Sequence, residues 1–190
     1  MNDLAGFRPA RTGGVTARFG AGQASIVRSL VSQVIELVSA EQEAGPGPAE
    51  DELAENELAA QLGLSDNAEL PSDPILARLL PDAYADDADA SAEFRRYTEI
   101  GLRSGKVAAA QTVLATLPAD GGKVRLKTED AQAWLRALND VRLSLGVVLG
   151  VTDDFDEQLD DLQPDDPRAA YVGVYQWLGY LQESLVESLS

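Results

Sequence analysis

The 190-residue chain contains no cysteine and no histidine. Without cysteine these residues hold no disulfide, thiolate metal site, cysteine nucleophile or thiol redox switch. Without histidine the commonest general base and the commonest zinc ligand are both missing. Catalysis would have to rest on carboxylates, lysine, tyrosine or serine. Long apolar runs are absent too, and nothing approaches the roughly 18 uncharged apolar residues of a membrane helix. The opening "MNDLAGFRPARTGGV" has no apolar stretch of signal-peptide length, which predicts a protein that is not secreted. Basic residues are scarce: 15 Lys and Arg stand against 32 Asp and Glu, for a net charge of −17. Such a chain repels nucleic acid overall, because DNA affinity comes largely from cations that neutralise phosphates.

What is present is apolar residues in quantity, 45% of the chain, enough for the core of one domain over 1–190. The charge is segregated. Residues 1–40 hold four arginines against Asp3 and Glu36, whereas 41–93 hold fifteen acids against Arg78 alone. Residues 94–142 then hold nine basic residues against five acids, and 143–190 hold ten acids against Arg168.

The local patterns predict a mainly α protein, a single-domain helical bundle with a small β-hairpin or three-stranded sheet packed against it. Within 1–20, Val15, Ala17 and Phe19 alternate with Thr16 and Arg18 as a half-buried strand requires, and Gly13 and Gly14 supply a hairpin turn. Pro9 confines the first strand to an edge. The next stretch is helical, with Val27, Leu30, Val31, Val34, Leu37 and Val38 on one face. Residues 40–52 read as a flexible acidic linker rich in Pro and Gly, followed by a short acidic helix, "DELAENELAAQLG".

In "LPSDPILARLLPDAY", Ser72 or Asp73 caps a short helix that Pro74 opens and Pro81 ends. A long helix from about Asp87 to Leu117 follows, with Phe94, Tyr97, Val107, Ala110, Leu114 and Leu117 as its expected buried face. Gly101 and Gly105 inside it predict a bend or a close approach of another backbone. "KVRLK" is a brief strand with Lys123, Arg125 and Lys127 outward and Val124 and Leu126 inward, suited to join the hairpin. Thr128 is expected to cap the next helix, whose stripe of Ala131, Trp134, Leu138, Val141, Leu145 and Val148 marks it as the central one. Residues 152–166 read as an acidic loop. The last helix is expected to bury Tyr171, Val174, Tyr175, Leu178, Leu181 and Leu185.

Three groups of residues carry candidate chemistry. The acids of "PDAYADDADASAEFRR" fail the spacing of an EF-hand, since Ala92 stands where glycine belongs and Thr98 where the bidentate glutamate belongs. They fit a helix start, with Asp86 or Asp87 as cap and Asp89 in the first turn. The same acids weaken Arg95 and Arg96 as readers of DNA in a helix-turn-helix. The eight carboxylates of "DDFDEQLDDLQPDD" have no defined ligand spacing. The strand face of Lys123, Arg125 and Lys127 is the better candidate for DNA contact, with a solvated strand face as the alternative. Asn139 and Arg142 flank the central stripe, and Asp140 lies one turn from Arg136; the group is either an internal network that ties Arg142 to an acid of another helix or a partner-binding edge.

The blocks "LPSDPILARLLPDAYADDADASAEFRRYTE", "AWLRALNDVRLSLG" and "YQWLGYLQESLVESL" resemble the actinobacterial domain-of-unknown-function family numbered 2017, also described as oxidative-stress transcriptional regulators of actinomycetes. The resemblance spans nearly the whole chain. It implies a cytoplasmic regulator that works with RNA polymerase through a stress sigma factor, or with a component linked to the Clp protease. The redox account of that family invokes a closely spaced cysteine pair, which this chain lacks, so no cysteine switch carries over.

The expected function is therefore regulation by protein contact, without catalysis, cofactor, metal or membrane, and with a homodimer left open. Candidate partner-binding residues are Arg95, Arg96, Lys123, Arg125, Lys127, Asn139, Asp140 and Arg142. The alternatives are a carboxylate-based metal binder or enzyme, and a regulator that binds DNA directly through the basic 95–142 band.

Overall fold

A computed structural model describes residues 6–11, 13–40, 71–84, 86–152, 155, 166 and 168–190. Its described elements are β1 (Arg8–Pro9), β2 (Val15–Phe19), α1 (Ala21–Ala40), α2 (Pro74–Leu79), α3 (Ala88–Thr116), β3 (Gly122–Leu126), α4 (Thr128–Leu149) and α5 (Arg168–Leu189). The predicted linker beyond Ala40, the short acidic helix after it and most of the acidic loop at 152–166 lie outside the described residues.

The strands form one antiparallel sheet in the order β1-β2-β3. Val15 pairs with Leu126, Ala17 with Val124 and Phe19 with Gly122, so the apolar residues share the inner face. Pro9 sits on the edge strand, where its missing N–H leaves no ladder bond broken. Gly14 and Gly121 both have positive φ, and a Cβ on Gly14 would run into the Leu126 carbonyl oxygen. Only glycine fits there without moving the backbone.

The sheet's inner face meets the helices at an aromatic cluster. Trp134 is wholly buried, with Phe7 edge-on at 5.4 Å and Phe19 at 5.7 Å between ring centroids. Its indole N–H donates to the Thr116 hydroxyl at 2.8 Å, which removes the cost of burying that donor. The helix carrying it, α4, packs on α1, α2, α3 and α5 and is the centre of the bundle. Its stripe is as expected except at the end: Val148 is exposed and Leu149 is buried instead. Lys127, not Thr128, occupies the cap position, and no side chain caps this helix.

Asp73 caps α2, accepting from the Ile75 and Leu76 amides, with Pro74 in the first turn. Asp87 caps α3 through the Ala90 amide, and Asp89 lies in its first turn. Acids explain this helix start without any ion. At the other end, the Arg28 guanidinium donates to the Leu114 and Leu117 carbonyls, holding the C-terminus of α3 against α1. Nothing approaches Gly101 or Gly105, so neither marks a backbone crossing, and α3 runs as one helix through both.

Two expected faces are corrected. In α5 the buried residues are Val172, Trp177, Leu178, Leu181, Ser184 and Leu185, and Tyr171 is exposed. In the first half of α3, Phe94 and Tyr97 point to solvent, Tyr97 being 62% exposed. The buried residues there are Ser91, Arg95, Glu99 and Arg103.

Candidate interaction surfaces

The inward face of α3 is a charge network. Arg95, Glu99 and Arg103 are 6%, 3% and 3% exposed. Glu99 accepts from the Arg103 Nε at 2.8 Å and Nη2 at 2.7 Å, and its other oxygen lies 3.5 Å from Arg95. Arg95 also reaches Asp82 at 2.6 Å and the Leu80 carbonyl at 3.3 Å. Arg103 donates to the Val38 carbonyl at 2.7 Å. Two guanidinium groups face two carboxylates, of which Glu99 is buried and Asp82 is exposed. The network ties together the last turn of α1, the residues after α2, and α3.

A second buried pair follows one turn later. The Lys106 ammonium donates to Asp140 on α4 at 2.7 Å, and Asp140 is 4% exposed. Burial raises the Asp140 pKa above the ordinary carboxylate value, and the Lys106 hydrogen bond and charge pull it part of the way back. The expected neighbour of Asp140, Arg136, is exposed and not its partner. Arg142 is also not tied to an acid. It donates to the Gln182 side-chain oxygen at 2.8 Å and lies 5.2 Å from the Tyr175 ring centroid, on the surface of α5.

The candidate residues therefore divide. Arg95 and Asp140 are inside, engaged with other parts of the chain, and cannot be presented to a partner without unfolding their surroundings. Arg142 is a clamp between α4 and α5. Arg96, Lys123, Arg125, Lys127 and Asn139 are exposed. The basic 95–142 band is not one surface, because Arg95 and Arg103 neutralise Glu99 and Asp82, and Lys106 neutralises Asp140.

Two outward features remain. Tyr84, Phe94, Tyr97 and Leu102 form an exposed apolar strip along α3, with Tyr84 and Phe94 edge-to-face at 6.0 Å. It runs into an open cleft of about 590 Å³ between α3 and α4, lined by Gly101, Gly105, Ala108 and Ala133, with Arg136 and Asn139 at its side. Spacing concealed this. Phe94 and Tyr97 sit at helical spacing and read as core, and the i, i+4, i+8 run of Arg95, Glu99 and Arg103 reads as a solvated ion-pair face. The other feature is the outer face of the sheet, where Arg8, Arg18, Lys123 and Arg125 are exposed.

Among the described residues no cluster of three or more acids is placed to hold a metal ion, and no helix is long and apolar enough to cross a membrane. The run Asp87 to Thr98 is a helix cap and the helix after it. The acids between Asp153 and Asp165 lie outside the described residues.

Comparison with known proteins places the chain. The family model described as "Domain of unknown function (DUF2017)" matches residues 4–189. The chain is 35% identical over 178 residues to the "Oxidative stress regulator AosR" of Mycobacterium tuberculosis (strain ATCC 25618 / H37Rv), covering 86% of this chain and 77% of that protein. It is 33% identical over 181 residues to the "Putative oxidative stress regulator AosR" of Mycobacterium leprae (strain TN), covering 88% and 78%. No solved structure matches.

Proposed function

The chain belongs to the DUF2017 family, and on that premise we propose that it is a regulator of the oxidative-stress response that acts by contact with the transcription machinery, through a sigma factor or RNA polymerase. The observation that carries the contact mechanism is the group of Tyr84, just before α3, and Phe94, Tyr97 and Leu102 on it, between 44% and 62% exposed. Aromatic residues grouped on a surface, beside a cleft floored by glycine and alanine, have the composition of an interface centre, and Arg136 and Asn139 supply polar groups at the cleft's side. The buried network beneath the strip holds α3 rigid, so the strip is presented preformed. Relatives named as oxidative stress regulators support the setting.

In this reading the chain works in the cytoplasm and has no reaction of its own. Whatever senses the oxidant, it is not a thiol in these 190 residues. Contact with a Clp-linked component is the second reading, which only the identity of the partner separates from the first.

The test is in-cell crosslinking of the tagged chain in an actinomycete host, read by mass spectrometry. The expected result is a sigma factor or RNA polymerase subunit crosslinked near α3, lost in a Phe94→Ser/Tyr97→Ser variant. Recovery of neither a transcription component nor a Clp component would sink the proposal.

A further inference from the structure

The outer face of the sheet is a second interaction surface, separate from the α3 strip. The register sets Arg8 opposite Thr16 and Thr16 opposite Arg125, and in the next row but one it sets Arg18 opposite Lys123. With neighbouring strands about 4.8 Å apart and alternate residues about 6.8 Å apart, four cations occupy a patch three strands wide. Arg11 and Lys127 are exposed at its margins. None of the six forms an ion pair among the described residues. Asp120, Glu129, Glu183 and Glu187 lie at the same end of the molecule without engaging them.

Like charges placed directly opposite one another weaken a strand pair. The fold gains nothing from Arg18 beside Lys123, in a chain that has acids to spare. Arg8, Thr16, Arg18 and Lys123 also line an open cleft of about 1030 Å³, together with the first turn of α1. That turn carries no acid, so its free N–H groups and positive dipole end add to the same field. Asp120 is the one acid on the cleft wall.

We infer that this face binds the phosphate backbone of a nucleic-acid duplex, without reading its sequence. The outward side chains of the strands are four cations and a threonine. None of these outward strand side chains is an aromatic that could stack on a base or an apolar anchor of the kind that centres a protein interface. Arginine forks match phosphate oxygens in pairs.

Four of the described acids are far from this face: Asp82, Asp86, Asp87 and Asp89 lie at the start of α3, whose other end leads into β3 about 43 Å along the helix. That separation is about four Debye lengths at 0.1 M salt. The overall repulsion makes the contact weak, suited to a protein held near DNA by another contact. The inference does not depend on which protein the α3 strip engages.

The experiment is fluorescence anisotropy of the full chain with two unrelated 20-base-pair duplexes, from about 20 to 150 mM salt. Both should bind equally, with log affinity falling linearly in log salt. The variant Arg8→Gln/Arg18→Gln/Lys123→Gln/Arg125→Gln should bind at least tenfold more weakly, with the slope reduced by about 3 to 4. A second variant, Arg8→Lys/Arg18→Lys/Arg125→Lys, keeps the charge and should retain binding, which excludes misfolding as the cause. No duplex binding at 20 mM salt, or binding that the glutamine variant leaves unchanged, overturns the inference. Poly-glutamate bound as tightly as duplex, with the same loss in the variant, overturns it in favour of an acidic protein partner. Crosslinking through α3 should be the same in all three proteins, so failure of the regulatory reading would show separately.

Discussion

The two halves of α3 obey opposite rules. From Thr112 to Thr116 the helix buries Val113, and one turn earlier Ala109 and Ala110, against the core beside Trp134. From Ser91 to Arg103 it buries a serine, two arginines and a glutamate, and shows Phe94, Tyr97 and Leu102 to solvent. One helix is thus held at its C-terminal end by apolar packing and at its N-terminal end by ions. Apolar packing needs only volume and is tolerant of chemistry. A buried ion pair must be complete, because each member left alone is an uncompensated charge in a poor solvent. The inverted half also has a consequence for function. Charge kept inside leaves the aromatic side chains outside, where a partner can reach them.

The largest expected effect comes from breaking the ionic half. Glu99→Ala removes the one buried carboxylate that the Arg95 and Arg103 guanidinium groups share and should cost about 3 kcal/mol, measured as the shift in urea midpoint. The same test on the apolar half, Val113→Ala, should cost about 2 kcal/mol, the value of two buried methyl groups plus the cavity they leave. If Glu99→Ala cost less than Val113→Ala, the network would be ornament and the contrast between the halves would fall. On the outer side, Phe94→Ser and Tyr97→Ser should each change stability by no more than about 0.5 kcal/mol, because both side chains already face water. A loss above about 2 kcal/mol would mean that they pack where the structure shows them exposed.

The smallest effect sharpens the boundary between the halves, at Asp140. Its raised pKa means the folded protein holds the proton more tightly than the unfolded chain. Asp140 therefore makes stability fall as pH rises from the ordinary carboxylate value to its own raised value. Asp140→Asn removes that slope and still accepts from Lys106. Relative to the parent, the variant should gain stability across that window and hold the gain above it, in urea titrations from pH 4 to 7. A difference that shrinks with rising pH would show that the Lys106 charge, and not burial, governs this carboxyl.

Much of the architecture was legible in the sequence because it follows from nearest neighbours. Alternation of Val15, Ala17 and Phe19 with Thr16 and Arg18 decided the strand and which side of it faces in. Asp73 before Pro74, and Asp87 before the apolar-poor start of α3, decided where two helices begin. The stripe from Ala131 to Leu145 marked α4 as central. The candidate site was less legible. Arg96, Lys123, Arg125, Lys127 and Asn139 are exposed, but nothing in the spacing around Arg95 or Asp140 says that each has a partner from another element. Asp82 is thirteen residues from Arg95, and Lys106 is 34 residues from Asp140. Such pairs are decided by how helices cross, not by period.

By itself, then, the sequence determined the absence of thiol and imidazole chemistry by composition, and the element types and the inner face of the sheet, since these depend on residues within a turn or two of one another. Only the tertiary structure decided which side of α3 faces in, because that depends on whether enough partners converge to satisfy Arg95, Glu99 and Arg103 away from water. It also decided that Arg8 and Arg18 join Lys123 and Arg125 on one face, because strands separated by more than a hundred residues meet there in a single register.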